Sequence, residues 1–185
     1  TELPRAVHKK GDHGGKGHAQ IDATALLAAL RAGHDMGLVS EAGMPAVADP
    51  GSSVVRAAHA LGARVVPLVG PVSLLLTLAA SGLNGQNFAF VGYLPQDASE
   101  RAQRVRALEA LALKTGQTQL FIETPYRNAA LWQALLQTLQ PSTQLTCAAG
   151  LTLAQASIHT RSASQWRGHA IPVDNRTPAV FAIGG

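Results

Sequence analysis

The chain has a single cysteine, Cys147, in 185 residues, so no internal disulfide can staple it. A reducing cytoplasm is the expected setting. Aromatic residues are scarce at 4%, too few for a surface of base-stacking platforms. Charge is sparse as well, 14% of residues, with 11 acidic against 15 basic side chains. The formal excess of +4 permits contact with a polyanion but is small for a dedicated nucleic-acid binder. Neither a signal peptide nor a long apolar run marks export or membrane insertion, so no membrane partner is expected. The sequence also lacks an initiating methionine: it opens at Thr1, on a stretch broken by Pro4, Gly11, Gly14, Gly15 and Gly17, and an upstream segment is expected to be missing.

What is present is a 46% hydrophobic content, enough to fill a real core in one ordinary domain or two small ones. Ile21, Leu26, Leu27 and Leu30 recur at helical spacing over 21–32, with Asp22 as N-cap and Gly33 as stop. A short apolar run at 36–39 predicts a strand buried on both faces. Ser52 or Ser53 is placed as the cap of a second helix that Gly62 ends, a strand is expected over 64–69, and Pro71 is placed in the first turn of a strongly apolar helix. Another strand is expected over 88–91. Helix and strand in alternation read as a parallel α/β sheet with crossovers.

Residues 92–99, which include Pro95, break the pattern. Helices near 99–113 and 127–139 follow, with strands at 119–122, 144–148, 157–161 and 179–183 in a mixed sheet. The expected organisation is an N-terminal α/β domain over 1–92, a linker at 93–98 and a C-terminal α/β domain over 99–185. Trp132 and Trp166 are read as packing residues, and Cys147 as inert in an apolar strand.

The chemistry concentrates in 38–51, which contains Ser40-Glu41-Ala42-Gly43-Met44-Pro45 and ends Asp49-Pro50-Gly51. It follows a strand, and the carboxyl ends of strands are where open α/β sheets bind ligands, with small residues admitting a ligand to the backbone. A tight turn without a ligand has the same pattern. This run resembles the Ser-Asp-Ala-Gly-Thr-Pro and Asp-Pro-Gly signature of the ribosomal RNA small-subunit methyltransferase I family, a branch of the tetrapyrrole methylases. Further matches follow in the family's order: Val66-Pro67-Leu68-Val69-Gly70-Pro71, then Ala80-Ser81-Gly82-Leu83, the 88–95 segment, and Phe121-Ile122-Glu123-Thr124-Pro125-Tyr126-Arg127.

The resemblance implies two small α/β domains with a cofactor cleft between them, the first truncated, and S-adenosylmethionine as cofactor. It implies methyl transfer to a ribose 2′-hydroxyl of small-subunit ribosomal RNA, and a homodimer, with the helix face at 74–78 poorly covered in a monomer. Its alternatives are methylation of a tetrapyrrole carbon, or a cofactor- or RNA-binding module without transfer. Ala42, Gly43, Met44 and Val47 would meet the methionine and ribose of the cofactor, with Val72 and Ser73 beside them. Glu123, Thr124, Gly150, Leu151 and Pro178 would hold the adenine.

A ribose acceptor needs a base, for which Asp49, Glu41 and Glu123 are the candidates; Asp49 is equally a helix cap. The sequence departs from the family at Glu41, Met44 and Tyr126, and at Ala148-Ala149-Gly150-Leu151-Thr152, where a charged pair is usual. The segment 8–18, with Lys9, Lys10 and Lys16, reads as a solvated loop, a phosphate-contacting loop or, lacking cysteines, least well as a metal site. No metal is expected. Arg101, Arg104 and Arg106 add either a basic face or solubility.

Overall fold

A computed structural model describes residues 26–185, which divide between Val72 and Ser73 into two compact units. The expectations for Asp22 and for the 8–18 segment lie outside the described residues.

In the first unit, α1 is a single turn, Ala28–Arg31. Helix α2 spans Ser52–Ala60. Its N-cap is Gly51 rather than a serine, and no side chain caps it. The reason is steric as well as conformational: Gly51 has φ 135°, and a Cβ there would lie 3.0 Å from the Leu38 side chain. At the other end Gly62, φ 71°, donates to His59 O at 2.9 Å, and Ala63 N–H donates to Ala58 O at 3.0 Å. That is the Schellman pattern expected of a glycine stop.

The strands expected over 36–39 and 64–69 are not formed among the described residues. A strand needs a neighbour to take its ladder bonds, and none pairs with these segments. Their apolar side chains lie in the open instead, Val39 at 87% and Val69 at 105% exposure.

The second unit opens with α3, Ser73–Ser81, so Pro71 precedes the helix rather than sitting in its first turn. Leu74 and Leu78, expected to be poorly covered, are buried, while Leu75 and Leu76 are exposed. Strand β1 is Phe88–Tyr93, and α4, Ala98–Thr115, is capped by Asp97, whose carboxylate accepts from Ser99 N–H and Glu100 N–H at 2.9 Å each. Then come β2, Thr118–Ile122; a 3₁₀ turn, Pro125–Arg127; α5, Asn128–Thr138; β3, Gln144–Ala149; β4, Ser157–Ser162; α6, Ala163–Trp166; and β5, Ala179–Gly184.

The five strands form one mixed sheet ordered β1-β2-β5-β3-β4. Only β1 and β2 are parallel, joined through α4; the other pairs are antiparallel. Strand β1, expected to close the first domain, thus belongs to the same sheet as β2. One sheet face, with Phe121, Leu145, Cys147 and Phe181, meets Trp132 of α5 and Trp166 of α6 in the main core. Burying a phenylalanine contributes about 1.5–3 kcal/mol. The edge-to-face pair Trp132–Trp166, 4.9 Å between centroids, locks the two helices over this face. On the opposite face Thr160 Oγ1 donates to Ser81 O at 2.7 Å and ties α3 to β4.

Candidate functional site

The loop at 40–51 is held mainly by its own backbone. Ala46 N–H donates to Pro50 O (3.2 Å) and Val47 N–H to Met44 O (3.3 Å), while Ser40 Oγ donates to Ala42 O (3.1 Å). Three consecutive bends require left-handed φ: Gly43 at 72°, Ala46 at 64° and Ala48 at 54°. For the two alanines this costs roughly 1–2 kcal/mol each, strain of the kind found where a loop must present its backbone to something else. Ala42, Gly43 and Val47 are exposed and Met44 is half-buried. Among the described residues a Cβ built on Gly43 would meet only Pro71 O, at 3.9 Å, so they leave the space above this glycine open. The same contact places the chain leading to half-buried Val72 next to the loop.

In the second unit, register gathers the other candidates at one end of the sheet. Ile122 pairs with Val180, and Ala149 with Ala179, so the chain after β2, the chain before β5 and the chain after β3 emerge together. Glu123, Thr124, Pro178, Gly150 and Leu151 therefore share one edge. Gly150 N–H donates to Pro178 O at 3.0 Å. Gly150 has φ 62°, and a Cβ there would lie 3.3 Å from Thr177 Cγ2, so conformation and space both call for glycine. Ser73, the remaining candidate, is exposed and begins α3, its carbonyl accepting from Thr77 Oγ1 at 2.8 Å.

The three carboxylates differ sharply. Glu123 is buried, and its Oε1 accepts from Thr124 N–H (2.7 Å) and Arg127 Nη2 (2.8 Å), which fixes the turn into α5. Asp49 and Glu41 are exposed, and Asp49 makes no cap bond to α2. Cys147 faces the core, where burial pushes its thiol up to about 12.

Sequence reasoning missed Asn128 and Asp174. Asn128, fully buried at the start of α5, donates through Nδ2 to Asp174 O (3.2 Å) and Thr177 O (2.9 Å). The backbone N–H groups of Thr177 and Arg176 hold the Asp174 carboxyl below the usual carboxylate range. A separate groove of about 410 Å³, lined by Trp132, Gln133, Gln137, Arg167 and His169 among others, runs along α5 and contains none of the candidates. Among the described residues no cluster of His, Cys, Asp or Glu could hold a metal ion, and no helix is long and apolar enough to cross a membrane.

The described residues build a mixed α/β fold with the candidate residues on its loops. More narrowly, the chain belongs to the tetrapyrrole (corrin/porphyrin) methylase family, whose pattern matches residues 2–165. It is 37% identical over 129 residues to ribosomal RNA small subunit methyltransferase I of Pseudomonas aeruginosa, covering 68% of this chain and 41% of that protein. The protein of the same name from Escherichia coli O157:H7 is 35% identical over 140 residues, covering 76% and 48%. The chain thus matches less than half the length of these relatives.

Among solved structures, the methyltransferase CobJ superposes with a TM-score of 0.57 at 21% identity, over 88% of this chain and 70% of that one. Uroporphyrin-III C-methyltransferase from Thermus thermophilus, solved with S-adenyl homocysteine, gives 0.51 at 19% identity over 88% and 71%. The fold is shared with both.

Proposed function

We propose that the protein is an S-adenosylmethionine-dependent methyltransferase that modifies a ribose 2′-hydroxyl of small-subunit ribosomal RNA. The observation that carries this reading is the 35–41% identity to proteins named ribosomal RNA small subunit methyltransferase I from Pseudomonas, Mesorhizobium and Escherichia. The residues suit the cofactor: the open space over Gly43 admits a ligand to the backbone, and the glycine-shaped turn at Gly150 presents a second stretch of main chain. We assign Ala42, Gly43, Met44, Val47, Val72 and Ser73 to its methionine and ribose, and Glu123, Thr124, Gly150, Leu151 and Pro178 to its adenine.

When bound, the cofactor supplies an electrophilic methyl group on a sulfonium. The protein's task is alignment and the removal of the acceptor proton, with no covalent enzyme intermediate. Glu123 is engaged with Thr124 and Arg127 and shapes the turn. Exposed Asp49, next to left-handed Ala48, is the carboxylate we assign to the hydroxyl proton. We further propose a cytoplasmic homodimer, supported by the exposed apolar side chains Leu68, Val69 and Leu75.

The test offers the complete protein small ribosomal subunits and a porphyrinoid, each with methyl-labelled cofactor. Label at a ribose 2′-oxygen is expected. Label in the porphyrinoid alone overturns the acceptor, and cofactor binding without turnover on either overturns the enzyme in favour of a binding module.

A further inference from the structure

Three loops meet at the strand-end edge of the second unit, and one amide group ties two of them together. We propose that Asn128 is a positioning residue that holds these loops in register for the adenine end of the cofactor, an inference that rests on the methyltransferase reading above. Its Nδ2 bonds to Asp174 O and Thr177 O cross 46 and 49 residues of sequence. The next residue repeats the link with main chain and side chain exchanged: Ala129 N–H donates to Asn175 Oδ1 at 3.0 Å. The clasped loop is shaped from within by Asp174 Oδ1, which accepts from Arg176 N–H (2.9 Å) and Thr177 N–H (2.6 Å).

From that loop the order passes to the third strand end. Thr177 bears on Gly150, and Pro178 O accepts the Gly150 N–H. Backward along the chain, Asn128 adjoins Arg127, whose guanidinium grips Glu123. Of the second-unit residues assigned to adenine, Pro178 thus sits in the loop that Asn128 ties down and Gly150 is bonded to it.

The chemistry of the side chain is specific. Two carbonyl oxygens converge on one point, and a short neutral group with two N–H donors is what satisfies both. An aspartate would turn an acceptor towards both carbonyls, and a leucine would fill the volume and donate nothing. Asn128 Oδ1 meanwhile is buried without a partner. The two donors are what the position retains.

The experiment uses the complete protein, with Asn128→Leu, Asn128→Asp and the milder Asn175→Ala at an exposed position. Amide hydrogen exchange at Gly150, Arg176 and Thr177 is measured beside that of β5, calorimetry gives the affinity for S-adenosylhomocysteine, and steady-state kinetics split KM for the cofactor from kcat. For the Asn128 variants the expected results are roughly tenfold faster loop exchange with β5 protection kept, roughly tenfold weaker binding, and a raised cofactor KM with kcat largely retained at saturation. Asn175→Ala moves the same readouts less, and stands in if a variant at 128 fails to fold. Unchanged loop exchange overturns the proposal, as does faster exchange with unchanged affinity. Failure of the parent protein to bind S-adenosylhomocysteine appears before any substitution and strikes the methyltransferase reading itself.

Discussion

At the residue scale, burial decides what each ionisable side chain does. Cys147 is held as a neutral thiol, raised to about 12 by desolvation. Its contribution to stability is complete below the unfolded thiol value of about 8.5 and is lost as pH climbs towards 12. At pH 8 a disulfide reagent should leave the folded protein unlabelled and react fully once denaturant unfolds it; rapid labelling of the native protein would contradict the assigned environment. Glu109 is buried too, accepting from Gln140 N–H (2.8 Å) and Thr143 Oγ1 (2.6 Å). Glu109→Leu orphans both donors and should lower the stability of unfolding by about 2–4 kcal/mol, measured by urea titration. Exposed Asp49 is expected to behave oppositely. Asp49→Asn should leave stability and S-adenosylhomocysteine affinity alone while kcat falls roughly 10²–10⁴-fold.

At the scale of elements, local signals carry as far as local physics does. The helices at 98–115 and 128–138 and the five strands around them were readable because apolar periodicity acts within a few residues. Runs at 36–39 and 64–69 have the same apolar pattern and form no strand, because a ladder needs a partner that pattern cannot supply. Among the proposed site residues, the family resemblance marked Gly43 and Gly150, whose positive φ suits their turns. Asn128 gave no sign, since its partners lie 46 and 49 residues away and a lone polar residue at a helix start resembles a cap. The loop it clasps is itself pH-dependent. Asp174 is held below its ordinary value, so its contribution is present above that value and is lost as pH falls through the lower folded one. Protection of the Arg176 and Thr177 amides, measured against their intrinsic exchange rates, should fall on acidification below about 4, and protection unchanged down to pH 2 would contradict the Asp174 bonds.

Across the whole molecule, the family fold supplies a loop with an open glycine in one unit and a register-built edge in the other. The proposed cofactor contact at the 40–51 loop is tested most directly at Gly43. Among the described residues a Cβ there meets only Pro71 O, at 3.9 Å, so a branched residue would grow into the space assigned to the ligand. Its positive φ of 72° adds local strain to the loop. Calorimetry of the complete protein with S-adenosylhomocysteine should show binding that Gly43→Val abolishes, with a urea midpoint lowered by no more than the roughly 1–2 kcal/mol that a side chain at positive φ costs. Gly62→Ala, at the helix stop, should cost about 1 kcal/mol of stability and spare binding. Unchanged affinity in the Gly43→Val protein would make the loop an ordinary turn and contradict the assigned site.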